Sequence, residues 1–166
     1  MINREWEENM KLLIKQRVFS WTDTYDIYDE AGETKYFVKA ELMSLGHRLH
    51  VYDRFGQEVG LIKEKVLTFL PSFEVEVNGK TIGRIQKKFT LLRPRYEVDF
   101  QGWMVEGDMM GWNYDVYSEN GYILHISKQL LQWGDTYVLD FVNPQDEWMA
   151  LLLVLAIDAA NCSDND

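Results

Sequence analysis

The feature that most restricts this chain is a strand-and-turn unit that recurs along it. The unit reads Tyr25-Asp-Ile-Tyr-Asp-Glu-Ala-Gly32, Leu49-His-Val-Tyr-Asp-Arg-Phe-Gly56, Phe73-Glu-Val-Glu-Val-Asn-Gly79, Tyr96-Glu-Val-Asp-Phe-Gln-Gly102 and Tyr114-Asp-Val-Tyr-Ser-Glu-Asn-Gly121. Successive copies start 24, 24, 23 and 18 residues apart. Apolar or aromatic residues alternate with polar ones, the period of a half-buried strand. Each copy ends near a glycine, which accepts the positive φ of a tight hairpin turn. A second strand type lies between the copies: Phe37-Val-Lys-Ala-Glu-Leu42, Leu61-Ile-Lys-Glu-Lys-Val66, Arg84-Ile-Gln-Lys-Lys-Phe89 and His125-Ile-Ser-Lys-Gln-Leu130, with a weaker copy at Met104 to Met109. With an opening strand at Leu12 to Trp21, this predicts eleven or twelve strands. So long a sheet, with one apolar face and no helices to cover its edges, is best closed into an antiparallel barrel.

The end of the chain breaks the pattern. Asn143 and Pro144, followed by acidic residues, read as a helix start. Trp148 to Ile157 then runs for ten residues without a polar stripe. A helix apolar all round must be buried all round. A twelve-stranded barrel has a lumen too wide for strand side chains alone to fill. The helix, expected over about 144–161, therefore fills the barrel. Ten apolar residues fall short of the roughly 20 that span a bilayer, so no transmembrane segment is expected. The domain runs over 10–162, with a polar extension at 1–9 and an acidic tail at 163–166. The extension lacks the basic and apolar regions of a signal peptide. Cys162, the only cysteine, has no internal disulfide partner, which favours a cytoplasmic setting.

Several stretches together resemble the LURP-one-related family. They are Met10-Lys-Leu-Leu-Ile-Lys-Gln-Arg-Val-Phe-Ser-Trp21, the Tyr-Asp-x-x-Gly turns, Leu67-Thr-Phe-Leu-Pro-Ser-Phe73, Gly102-Trp-Met-Val-Glu-Gly-Asp108 and Leu155-Ala-Ile-Asp158. The resemblance covers residue 10 to about 160. It implies kinship with the tubby C-terminal domain and the phospholipid scramblases, hence a twelve-stranded barrel around a central helix. Tubby domains bind phosphoinositide headgroups through basic residues, but no tubby phosphoinositide motif can be carried over here residue by residue.

Charge is uneven. The net −10 comprises 8 basic and 11 acidic groups in residues 1–59, 8 and 3 in 60–95, and 1 and 13 in 96–166. The total discourages nucleic-acid binding. The basic middle segment offers an anion or lipid-headgroup site: alternation puts Lys63, Lys65, Arg84 and Lys88 on the outer face, helped by Arg93 and Arg95. Cross-strand pairing with Glu74, Glu76, Glu97 and Asp99 is the competing and weightier use of those cations. Val66 and Phe89 are then expected to point inward. The same alternation turns Ala40, Glu64, Lys87, Gly107 and Lys128 toward the lumen, into which the helix brings Asp158. Buried charges need partners, so Asp158 is expected to be buried and to meet Lys87 or Lys128. The alternatives are a register error or a wet barrel mouth.

No catalytic arrangement stands out. His47 and His50 are three apart and face opposite sides of a strand, His125 is remote, and no metal or cofactor site is predicted. The glycines sit in turns rather than in a phosphate loop. The expectation is a non-enzymatic binding or scaffold module for a protein partner or an anionic phospholipid headgroup. The alternative is a lipid-handling protein or enzyme of the scramblase kind.

Overall fold

The computed structural model describes residues 10–15, 24–41, 45–91, 95–131 and 134–163. The alternating stretches form twelve strands: β1 (Met10–Lys15), β2 (Thr24–Asp29), β3 (Thr34–Ala40), β4 (Arg48–Asp53), β5 (Glu58–Glu64), β6 (Ser72–Val77), β7 (Lys80–Lys88), β8 (Arg95–Phe100), β9 (Met104–Asp108), β10 (Asn113–Ser118), β11 (Gly121–Leu131) and β12 (Gly134–Phe141). The expected opening strand reaches Lys15; its remainder to Trp21 lies outside the described residues, as do the extension at 1–9 and the last three residues. All neighbours are antiparallel, in the order β8-β7-β6-β5-β4-β3-β2-β1-β12-β11-β10-β9. The sheet is thus a meander whose first strand pairs with its last (Met10↔Phe141 to Lys15↔Thr136), making a nearly closed barrel.

The repeat explains where closure fails. Four copies carry a register shift at equivalent places: Ile27/Tyr28, Val51/Tyr52, Val75/Glu76 and Val116/Tyr117. A bulge next to a turn adds local twist and helps a sheet curl. The remaining copy, Tyr96 to Gly102, forms β8 and its turn, and β8 and β9 are the two ends of the strand order. This is the copy followed by the short 18-residue spacing, which leaves β9 only five residues long and mostly exposed.

Inside, the alternation delivers one apolar residue in two to a common core. Leu49 and Val51, Phe73 and Val75, Tyr114 and Val116 are each at most 1% exposed. The core surrounds α1 (Glu147–Cys162), in which every residue from Ala150 to Ala160 is buried. Asn143 and Pro144 begin a 3-10 turn, Pro144–Asp146, and α1 follows it, so the helix starts three residues later than the Asn-Pro pair predicts. The helix lies closest to β5, β6 and β7. There Gly60 makes room: a Cβ on it would come 2.6 Å from both methyls of Leu152.

The barrel has two unlike ends. Tight turns at 30–33, 54–57, 78–79, 101–103 and 119–120 lie at the turn end, where α1 enters. Among the described residues, 41, 45–47, 65–71, 89–91 and 109–112 lie between strands at the loop end. The helix finishes there, with Asn161 Nδ2 donating to the Met109 carbonyl at 2.9 Å.

Candidate functional site

On the outer wall, β5, β6 and β7 run side by side and bring the basic stripe against acidic neighbours. The register sets Lys63 opposite Glu74, and Glu74 opposite Arg84. Glu74 is the hub: it accepts from Lys65 Nζ at 2.8 Å and Arg84 Nη2 at 3.2 Å, with Lys63 Nζ at 4.0 Å. Its carboxyl is held below the usual range, chiefly by the Lys65 bond. Lys63 also pairs with Glu76, and Lys88 with Glu97. Five of these side chains form one connected network of three cations and two carboxylates, and the stripe is consumed by pairing. Arg95 is exposed and lies across the ladder from Lys88, while Arg93 falls outside the described residues.

The positions turned inward fare differently. Ala40 is buried, as alternation requires, and Gly107 is exposed on β9 beside the seam. Glu64 reaches His47, with its Oε2 2.8 Å from Nδ1 and 3.1 Å from the backbone nitrogen, and so fastens the entry to β4. Lys128 pairs with Asp135 at 2.7 Å. Lys87 is half-buried at the end of β7. Phe89, expected to point inward, is 74% exposed, because β7 ends at Lys88 and the chain leaves the sheet. These residues have inward parity but sit near the loop-end termini of their strands.

Asp158 is buried, at 8% exposure, yet it meets no lysine. Its side-chain partner is Cys162, one turn on, whose thiol donates at 3.8 Å. Burial raises its pKa from 3.8 to about 7, with the thiol pulling slightly the other way. The pairing expected with Lys87 or Lys128 is absent: Lys128 pairs with Asp135 instead, and both lysines lie toward the loop-end termini of their strands. Tyrosines surround the acid instead. Burial, reinforced by Asp158, raises Tyr114 and Tyr25, and brings Tyr137 to about 12. Tyr137 stacks on Trp112 with ring centroids 3.7 Å apart.

Two clusters have no clear signature in the sequence. At the turn end Glu147, 3% exposed, accepts from Lys35 Nζ at 2.7 Å and Tyr36 OH at 2.8 Å. An acid in the first helical turn is favourable to the dipole, and it pins α1 to β3. On the wall, His50 lies between Glu58 (Nδ1, 2.9 Å) and Glu41 (Nε2, 3.1 Å). Burial works to lower the His50 pKa, but the two carboxylates outweigh it and the net change is upward. Neither cluster joins a nucleophile to a base, and among the described residues no group of three His, Cys, Asp or Glu is placed to hold a metal.

The loop end carries a feature that alternation does not address. Seven large apolar side chains among the described residues are at least 74% exposed, and six of them lie here: Leu45, Leu67, Phe69, Phe89, Leu91 and Leu130. The signal was present in the sequence as apolar residues where bends are usually polar, in Leu67-Thr-Phe-Leu70 and Phe89-Thr-Leu91.

The model of the LURP-one-related family matches residues 10–158. The Bacillus subtilis (strain 168) protein YxjI is 27% identical over 157 residues, covering 95% of this chain and 97% of that protein. A solved Arabidopsis thaliana protein superposes with a TM-score of 0.62 at 14% identity, over 92% of each chain, a likeness of fold.

Proposed function

Because the chain belongs to the LURP-one-related family and its barrel is filled by its own helix, we propose that it is a non-enzymatic binding or scaffold module that engages its partner on the outer surface. The observation that carries this reading is the continuous burial of Ala150 to Ala160 in the lumen. Carrier barrels keep that space for a ligand; here side chains of α1 occupy it. A protein or an anionic phospholipid headgroup then meets the outside of a rigid support, and the lone Cys162 suits a reducing cytoplasm. An enzymatic or lipid-handling role of the scramblase kind would require an open lumen or a nucleophile beside a base, and Cys162 hydrogen-bonds a carboxyl rather than an imidazole. Native mass spectrometry of gently purified protein tests the reading. The expected spectrum has the mass of the bare chain, and a stoichiometric lipophile released only on unfolding would overturn it.

A further inference from the structure

We propose that the loop end docks on an anionic phospholipid membrane, with Leu67, Phe69, Phe89 and Leu91 inserted past the headgroups and their flanking cations at headgroup level. This rests on the reading of an outer-surface binding module and names its partner. The apolar side chains are displayed rather than packed. Leu67 and Phe69 are 102% and 96% exposed and Leu91 is 91% exposed. Leu67 holds a left-handed backbone, φ +66°, a conformation that non-glycine residues keep at a cost and that concentrates at functional positions. The connection beside it is tied to it: a Cβ on Gly46 would lie 2.7 Å from Val66 Cγ1, so Leu45 stands next to the same loop.

Cations flank these tips in sequence. Lys65 precedes Leu67, Lys88 precedes Phe89, and Arg95 follows Leu91. Lys88 and Arg95 face each other across the β7–β8 ladder, a like-charge apposition that Glu97, paired with Lys88, relieves in part and that a phosphate can relieve further. Lys65 stays tied to the buried Glu74, whereas the Lys88–Glu97 pair is exposed on both sides and of small worth, so a phosphate can displace Glu97. The opposite end is acidic, with Glu30, Glu33, Asp53, Glu58, Glu119 and Asp146 on or beside its turns. A chain of net charge −10 thus presents its apolar end, with Lys88 and Arg95, toward an anionic surface and turns those six carboxylates away. Apolar tips on separate loops with cations at their bases match a headgroup interface. The core of a protein interface is instead depleted of charge.

The test is flotation of the purified full chain with vesicles of equal parts phosphatidylcholine and phosphatidylserine, beside vesicles of phosphatidylcholine alone, at low and physiological salt. Wild type is expected to float with the anionic vesicles only, and less at higher salt. Leu67→Ser with Phe69→Ser is expected to lower partitioning at least about tenfold without moving the melting temperature, since neither side chain is packed. Lys88→Glu with Arg95→Glu is expected to lower partitioning as well. In Phe69→Trp, brominated acyl chains should quench the added fluorescence. Salt-sensitive flotation that survives the double serine change would overturn insertion. Absence of wild-type flotation, with a protein partner or a second copy of the chain covering the loop end, would overturn the membrane partner and leave outer-surface binding standing. A copurified internal lipophile would instead overturn the parent reading.

Discussion

Asp158 inverts the usual logic of a buried charge. Its carboxyl is enclosed near the C-terminal end of a helix, where the dipole is negative and disfavours an anion, and its one side-chain hydrogen bond comes from a thiol. The rise from 3.8 to about 7 corresponds, at 1.36 kcal/mol per pH unit, to about 4 kcal/mol. Between those two values the folded chain binds the proton more tightly than the unfolded chain. Stability therefore falls as pH rises through the window, and above about pH 7 the whole amount is lost. Asp158→Asn keeps the shape and the neutral state at every pH. The variant should match wild type near pH 4 and exceed it by up to about 4 kcal/mol at pH 8. With m about 1–3 kcal/mol/M, the urea midpoint at pH 8 should move up by more than about 1 M. Urea titrations of both proteins at pH 4, 6 and 8 give the comparison. If Asp158→Asn is instead the weaker protein at pH 8, the carboxylate is ionised and paired with a cation, and the argument from burial fails.

Other outcomes follow from the packing. Deleting residues 145–166 removes the lumen's filling and should leave an insoluble or molten chain, read by loss of near-UV circular dichroism with far-UV signal retained. Gly60→Ala pushes a methyl against Leu152 and should cost about 1–3 kcal/mol; Leu152→Val in the same chain should return part of that loss in urea unfolding. Glu147→Gln weakens the bonds from Lys35 and Tyr36 and should cost about 2 kcal/mol, against about 1 kcal/mol for Tyr36→Phe, measured by thermal unfolding. Glu74→Gln should destabilise by about 1–2 kcal/mol at pH 7. Its depressed pKa means the wild-type advantage exists above the unfolded carboxyl pKa and disappears as pH falls through the folded one.

The sequence by itself determined the barrel, its central helix and its outer charge pairing. Two-residue alternation fixes which face each strand buries, turn glycines fix the hairpins, and an all-apolar segment has no stable place except inside. Those are local periodicities, and a single chain displays them in full. The resemblance to the LURP-one-related family was legible for the same reason, and the family match over residues 10–158 agrees with it. The fate of individual charges was decided by the tertiary structure. Parity says that Lys87, Lys128 and Glu64 face inward, but not how far along the barrel axis they sit, and so not whether they meet Asp158 or water. Phe89 failed for a related reason, since alternation holds only while the strand lasts and β7 stops at Lys88. The Glu147–Lys35–Tyr36 cluster joins residues 111 and 112 positions apart, a separation that no local pattern encodes. The gathering of Leu45, Leu67, Phe89 and Leu130 at one end arises only because every second hairpin of a meander points the same way. Leu45, Leu67 and Phe89 stand 22 residues apart, in step with the hairpin repeat; the pairing of β1 with β12, which wraps the meander round, brings them and Leu130 to one rim.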